Sequence, residues 1–302
     1  MDSAAYSPAT APSYHRPAVA FLQDVLATYH AHFWLFLKFV VPAAIFGYCA
    51  VILAGGKAQD IFSSLPRGPG ISEHWAEILA ALFLRFGGFL VSWVIYCFAF
   101  AGTSVAVSET ERGVVPSSEQ ALQAVRDRLL PFLRIALVLF LLLLLAGLLA
   151  GTAGGILLGA ASKFQWRPSG NIWRVTSLVI VLPFLLALSR FGLAMPAVVL
   201  DGRRVSEALF LSDALTSGKL AILLALLFES VVGSYLAAIG PFWIAGWVLH
   251  GRIVPTWGPW VLWVVAWVGG VLLQPTLLIG LALLYVKSTQ SPTEPFKTAA
   301  AI

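Results

Sequence analysis

The sequence predicts an all-α membrane protein: a bundle of six transmembrane helices with short amphipathic surface helices on the cytoplasmic side. Three observations predict it. Of the 302 residues, 59% are hydrophobic and 11% charged, and a mean hydropathy of +0.88 lies well outside the range of a soluble globular domain. Several apolar runs exceed the roughly 20 residues that a helix needs to cross a bilayer. Between the runs stand short polar crossings with glycines and helix-start signals.

The chain divides into a tail over 1–16, a membrane domain over 17–287 and a second tail over 288–302. The first tail is rich in Ala, Ser and Pro and holds no core pattern, as expected of a disordered terminus. No short apolar core stands behind a basic start with a small-residue cleavage site, so no cleavable signal peptide is expected. From Pro17 to Ala31, residues Phe21, Leu22, Val25, Leu26 and Tyr29 share one face, and Gln23, Asp24 and His30 lie elsewhere on the wheel. That spacing predicts an amphipathic helix lying on the membrane surface.

The spans are expected at about 32–54, 78–107, 132–161, 175–200, 219–249 and 259–287. An even number puts both termini on one side, and basic residues decide which. One set of loops and ends holds Arg16, Arg112, Arg126, Arg128, Arg134, Arg203, Arg204, Lys219, Lys287 and Lys297, and the other holds Lys57, Arg67, Lys163, Arg167, Arg174 and Arg252. Ten against six places both termini in the cytoplasm of a cell whose inner membrane holds the protein. Trp75, Trp166, Trp173, Trp243, Trp247, Trp257, Trp260 and Trp263 fall near the opposite interface, where the indole ring suits the headgroup level. Interfacial anchoring is the plainer account of these rings, and a stacking platform for a sugar or headgroup is the alternative.

In the third span Gly147, Gly151, Gly155 and Gly159 recur every fourth residue. Such a stripe lets helix backbones approach closely in lipid. Packing within the chain is the expected use, and a homodimer interface is the other. The two crossings on the cytoplasmic side resemble each other: Gly113 precedes Ser118-Glu119-Gln120-Ala121-Leu122, and Gly202 precedes Ser206-Glu207-Ala208-Leu209. A hydroxyl before an acid is a helix-start signature, so each crossing predicts a short surface helix. With 17–31 ahead of the first span, the layout suggests three similar units closing into a ring.

The stretch from Arg190 to Glu229 organises the rest. At a rise of about 1.5 Å per residue, Arg190 lies roughly 15 Å above Leu200, and Glu229 roughly 15 Å above Lys219. In a straight hairpin the opposite charges meet at one depth, and a pair facing the bundle interior is expected because isolated charges there are costly. Gln274, before Pro275, is the secondary polar candidate, since a proline frees a backbone carbonyl in the preceding turn. An ion pair that fixes packing and a polar ligand path are the two readings of these groups.

From Arg190 to Gly218 the chain resembles an integral-membrane family named for the membrane domain of glycerophosphoryl diester phosphodiesterases. The residues that carry the resemblance are Arg190-Phe191, Ala194, Pro196-Ala197, Asp201, Glu207-Ala208-Leu209, Ser212 and Leu215-Thr216-Ser217-Gly218. Leu211 departs from it, standing where a basic residue is expected. The resemblance implies a multi-pass fold and no phosphodiesterase chemistry, which in fused enzymes belongs to a separate soluble domain.

Other chemistry is absent from the sequence pattern. His15, His30, His32, His74 and His250 are scattered, and no metal set converges at ligand spacing. There is no nucleophile elbow, phosphate loop or dinucleotide fingerprint, and no catalytic residue or cofactor is expected. Cys49 and Cys97 sit in apolar segments at different depths and act as small hydrophobes. The net charge of +5 is spread over loops, giving no support for nucleic-acid binding. The expected partners are the lipid bilayer and either a second copy or another membrane protein. The leading expectation is a non-enzymatic inner-membrane protein that scaffolds partners or influences membrane and envelope organisation. The alternative is a small-molecule or lipid transporter with a mid-membrane polar site at Arg190 and Glu229.

Overall fold

The computed structural model describes residues 18–64, 74–163, 186–187, 190–249 and 258–289. All nine regular elements among the described residues are helices: α1 (Ala18–Ala31), α2 (Phe33–Ser64), α3 (Trp75–Glu111), α4 (Ser118–Asp127), α5 (Leu129–Lys163), α6 (Ala194–Asp201), α7 (Val205–Thr216), α8 (Leu220–Leu249) and α9 (Gly258–Thr289). Four stretches are long and apolar enough to cross a membrane, Phe33–Ile61, Trp75–Glu111, Leu129–Ile156 and Val264–Thr289. A fifth is added if α7 and the start of α8, which meet at 97°, form one broken span. The first expected tail, the second tail beyond Thr289 (the last helix runs past the expected boundary at 287), the tryptophan-bearing segments 164–174 and 250–257, and half of the expected span at 175–200 lie outside the described residues.

The described end of that span corrects the expectation of one helix running to residue 200. Helix ends at Phe191, a turn covers Gly192 and Leu193, and α6 starts afresh at Ala194. Pro196 supplies the reason: its ring clashes with the carbonyl four residues back, on Gly192, and it has no N–H to offer that carbonyl. Ser212 of α7 meets the backbone groups at the break. Its hydroxyl donates to Arg190 O at 2.7 Å and accepts from Leu193 N–H at 3.1 Å.

The fully buried large side chains gather at one end of the bundle, where α1, α4, α6 and α7 meet the long helices. They include Phe21, Phe36, Phe132, Met195, Leu223, Ile279 and Tyr285. Toward the other end α3 exposes Phe83 and Phe89, and α5 exposes Leu141, Leu145, Leu148, Leu149 and Ile156. Exposed apolar surface of this extent suits acyl chains, which solvate Leu as well as other side chains do.

The helix expected at 17–31 is α1, and its apolar face turns to the bundle: Phe21, Val25 and Tyr29 are buried. The Tyr29 hydroxyl donates to Leu272 O at 2.7 Å, and burial pushes this phenol above its ordinary range, keeping the donor protonated. Asp24 and Lys287 pair at 2.7 Å, so α1 is tied to the last helix, α9.

Both crossings form the short helices expected, α4 and α7. The hydroxyl caps do not form. Ser117 precedes α4 without a side-chain cap bond, and Ser206 falls inside α7, where the cap position is Arg204 and its N–H is accepted by Glu207 Oε2 at 3.4 Å. The likeness between the crossings has a backbone cause. Gly113 and Gly202 end α3 and α6 with φ of 73° and 68°, a left-handed conformation that glycine adopts without steric cost.

Close helix approach occurs away from the glycine stripe of α5. A Cβ on Gly88 of α3 would stand 2.5 Å from Ala54 Cβ and 2.9 Å from Ala50 O of α2, and one on Gly102 2.9 Å from the Phe39 ring. Among the described residues, nothing lies within 4 Å of that position at Gly151 or Gly155. Gly147 is half-buried, and the surroundings of Gly159 lie outside the described residues.

Candidate functional site: an apolar cavity inside the bundle

Three long helices, α3, α5 and α9, each turn a face to one pocket. On α3, Trp93, Tyr96, Cys97 and Phe100 recur at the three-and-four spacing that keeps residues on one side of a helix, as do Gln274, Leu277, Leu278 and Leu281 on α9. Leu139, Leu142 and Leu143 of α5, Ser230 of α8, and Phe191, Gly192 and Met195 at the chain break complete the wall. Together with Ala187 they line a half-open pocket of about 420 Å³, within the range of pockets that hold small molecules. The break itself borders the space, since Phe191, Gly192 and Met195 all line it.

The walls are almost entirely hydrocarbon, and the exceptions are specific. Gln274 Oε1 is buried with no hydrogen-bond partner among the described residues. A buried acceptor left unmet costs about 1–3 kcal/mol, so a ligand that brings a hydroxyl or amide proton to this oxygen recovers that cost. Trp93 Nε1 is already used, donating to Ala136 O at 2.8 Å.

The structure distributes the sequence candidates differently from a straight hairpin. Arg190 stands 3.6 Å from Asp213 through Nε, and both side chains are half-exposed or more, at 67% and 50%. Glu229 accepts a hydrogen bond from Thr276 Oγ1 at 3.0 Å, and Thr276 also reaches Leu273 O at 2.7 Å, in the turn before Pro275. No ion pair joins Arg190 to Glu229 among the described residues. Counting helical rise presumed one unbroken helix to Leu200, and the turn at Gly192-Leu193 takes Arg190 out of that line. The cavity does lie beside both positions, because Phe191 and Ser230, their chain neighbours, line it. Gln274 is the sequence candidate that reaches the site itself.

Sequence reasoning missed the polar ties at the packed end. Tyr285 donates to Asp201 Oδ2 at 2.5 Å, and Arg203 approaches the same oxygen at 3.6 Å. Arg128 donates to Val199 O at 2.7 Å. Buried Lys219 donates to Ser288 Oγ at 2.6 Å. These partners are far apart in the chain and show no local pattern. A tyrosine or lysine at the edge of an apolar run was the only signal. Among the described residues no cluster of His, Cys, Asp and Glu could hold a metal ion. Comparison of the chain with protein-family models, with curated proteins and with solved structures gives no match in any of the three.

Proposed function

We propose that the protein is a non-enzymatic inner-membrane protein of six spans, with both termini in the cytoplasm, that binds an apolar, lipid-like molecule inside its bundle and so carries or presents it within the membrane. The observation that carries this reading is the hydrocarbon-lined cavity with one unmet acceptor, Gln274 Oε1. A half-open, hydrocarbon-lined pocket of this size suits an apolar guest that reaches it from the bilayer. The reading therefore develops the lipid-handling alternative, with Gln274 as the polar contact and Glu229 beside it. It also accommodates the resemblance at Arg190–Gly218, which implies a multi-pass fold without phosphodiesterase chemistry.

The test is extraction in mild detergent followed by native mass spectrometry, for the wild type and for Leu143→Trp with Leu278→Trp, which fills the cavity from two walls. The wild type is expected to carry a lipid-sized adduct, and the filled variant to melt at a similar temperature without it. An adduct retained equally by both would place the lipid elsewhere and end this reading.

A further inference from the structure

A second recess, about 580 Å³, opens where α5 meets the loop into α7. Its wall combines Arg134 and Val138 of α5 with Arg203, Arg204, Ser206 and Leu209. Three guanidinium groups around one recess make a site for an anion, provided nearby acids do not already neutralise them. Two carboxylates are at hand. Asp201 stands 3.6 Å from Arg203 but also takes the Tyr285 hydroxyl. Glu207 is engaged with the backbone N–H of Arg204. Arg134 has no acidic partner among the described residues. Arg128 packs against Gly202, its guanidinium 3.3 Å from where a Cβ would stand. Three arginines thus line the recess, with Arg128 beside it already donating to Val199 O, and the start of α7 adds the positive end of its backbone dipole.

The chemistry favours phosphate, whose oxygens match the fork of the guanidinium group and accept paired charge-assisted bonds. Position favours a phosphate attached to something apolar. Arg134, Val138 and Leu142 lie at successive fourth positions of α5, one stripe of a single helix face. Arg134 and Val138 line the basic recess, and Leu142 lines the apolar cavity. The step from Arg134 to Leu142 is roughly 12 Å along the helix, within the reach of an acyl chain. Arg134 also stands roughly 7.5 Å by helical rise from the start of the apolar stretch at Leu129, near one end of that stretch, and basic recesses between spanning helices hold anionic headgroups elsewhere.

We infer that the molecule bound by the bundle is an anionic phospholipid whose phosphate sits among Arg134, Arg203 and Arg204, with a chain entering the cavity past Val138 and Leu142. This rests on the lipid-binding reading above and adds the headgroup class to it.

The experiment offers the purified, delipidated full chain an equimolar mixture of phosphatidylglycerol and phosphatidylcholine, with native mass spectrometry as the readout. Inorganic phosphate is added alone in a parallel thermal-shift arm. Wild type is expected to prefer phosphatidylglycerol about tenfold, the scale of one charge-assisted hydrogen bond. Arg134→Gln with Arg203→Gln and Arg204→Gln is expected to take both lipids equally. The single change Arg134→Gln, on an exposed position of α5, is expected to lose part of the preference and serves if the triple variant does not fold. A preference that survives in the Gln variants overturns the headgroup site. So does equal uptake of both lipids by the wild type, or stabilisation by inorganic phosphate that matches phosphatidylglycerol. In each of these cases loss of lipid from the cavity-filled variant keeps the apolar reading standing. Uptake of neither lipid by the wild type overturns both.

Discussion

Ser212 satisfies the backbone groups that the break at Pro196 leaves open. It meets a carbonyl and an amide at the helix break, and the break moves Arg190 to the surface beside Asp213. Arg190 and Glu229 therefore have separate partners, which sets an expectation for a double-mutant cycle in detergent. Arg190→Gln, Glu229→Gln and the double variant are expected to be additive within about 0.5 kcal/mol. Arg190→Gln alone is expected to cost under about 1 kcal/mol, because its pair with Asp213 is exposed. A coupling of several kcal/mol, read from chemical or thermal unfolding, would restore the buried ion pair. The residue types that matter at this scale were visible in the chain: Gln274 before Pro275, the acid at 229, and Pro196. Their partners were not, because Thr276 approaches Glu229 across two helices 47 residues apart in sequence.

At the scale of elements, small residues act where a second helix arrives. Gly88 lets α3 lie against Ala50 and Ala54 of α2, and an added methyl meets a backbone carbonyl that cannot step aside. Gly88→Ala is expected to destabilise by about 1–3 kcal/mol through overpacking. Gly151→Ala, with no described residue within 4 Å of the added methyl, is expected to be neutral or to gain up to about 1 kcal/mol from helix propensity. Melting temperatures of the two variants in one detergent decide the matter, and equal losses would mean that the α5 stripe packs tightly too. The four-residue spacing of Gly147, Gly151, Gly155 and Gly159 was plain in the sequence. Spacing on one helix says which side is smooth and leaves open whether anything lies against it.

For the molecule as a whole, the packed end is held by α1. Phe21, Val25 and Tyr29 are buried, Tyr29 bonds α9, and Asp24 pairs with Lys287. An amphipathic helix can turn its apolar face to lipid or to protein, and here it meets protein. Phe21→Ala is accordingly expected to cost about 3–5 kcal/mol, the range for a fully buried aromatic, and to speed limited proteolysis within α1. Unchanged stability would return α1 to the membrane surface as its main support.

The membrane class and all-helical make-up were determined by the sequence alone, along with the two short helices in the crossings. Apolar length and helical period are local properties that follow from composition within one segment. The tertiary structure decided the break at Gly192, the separate partners of Arg190 and Glu229, and which glycines meet a neighbour. It also brought faces of α3, α5 and α9 around a half-open pocket, with a basic recess further along α5. These depend on distances between segments remote in the chain, and a single bend changes them all, because a helix redirected at one residue carries every later side chain to a new place.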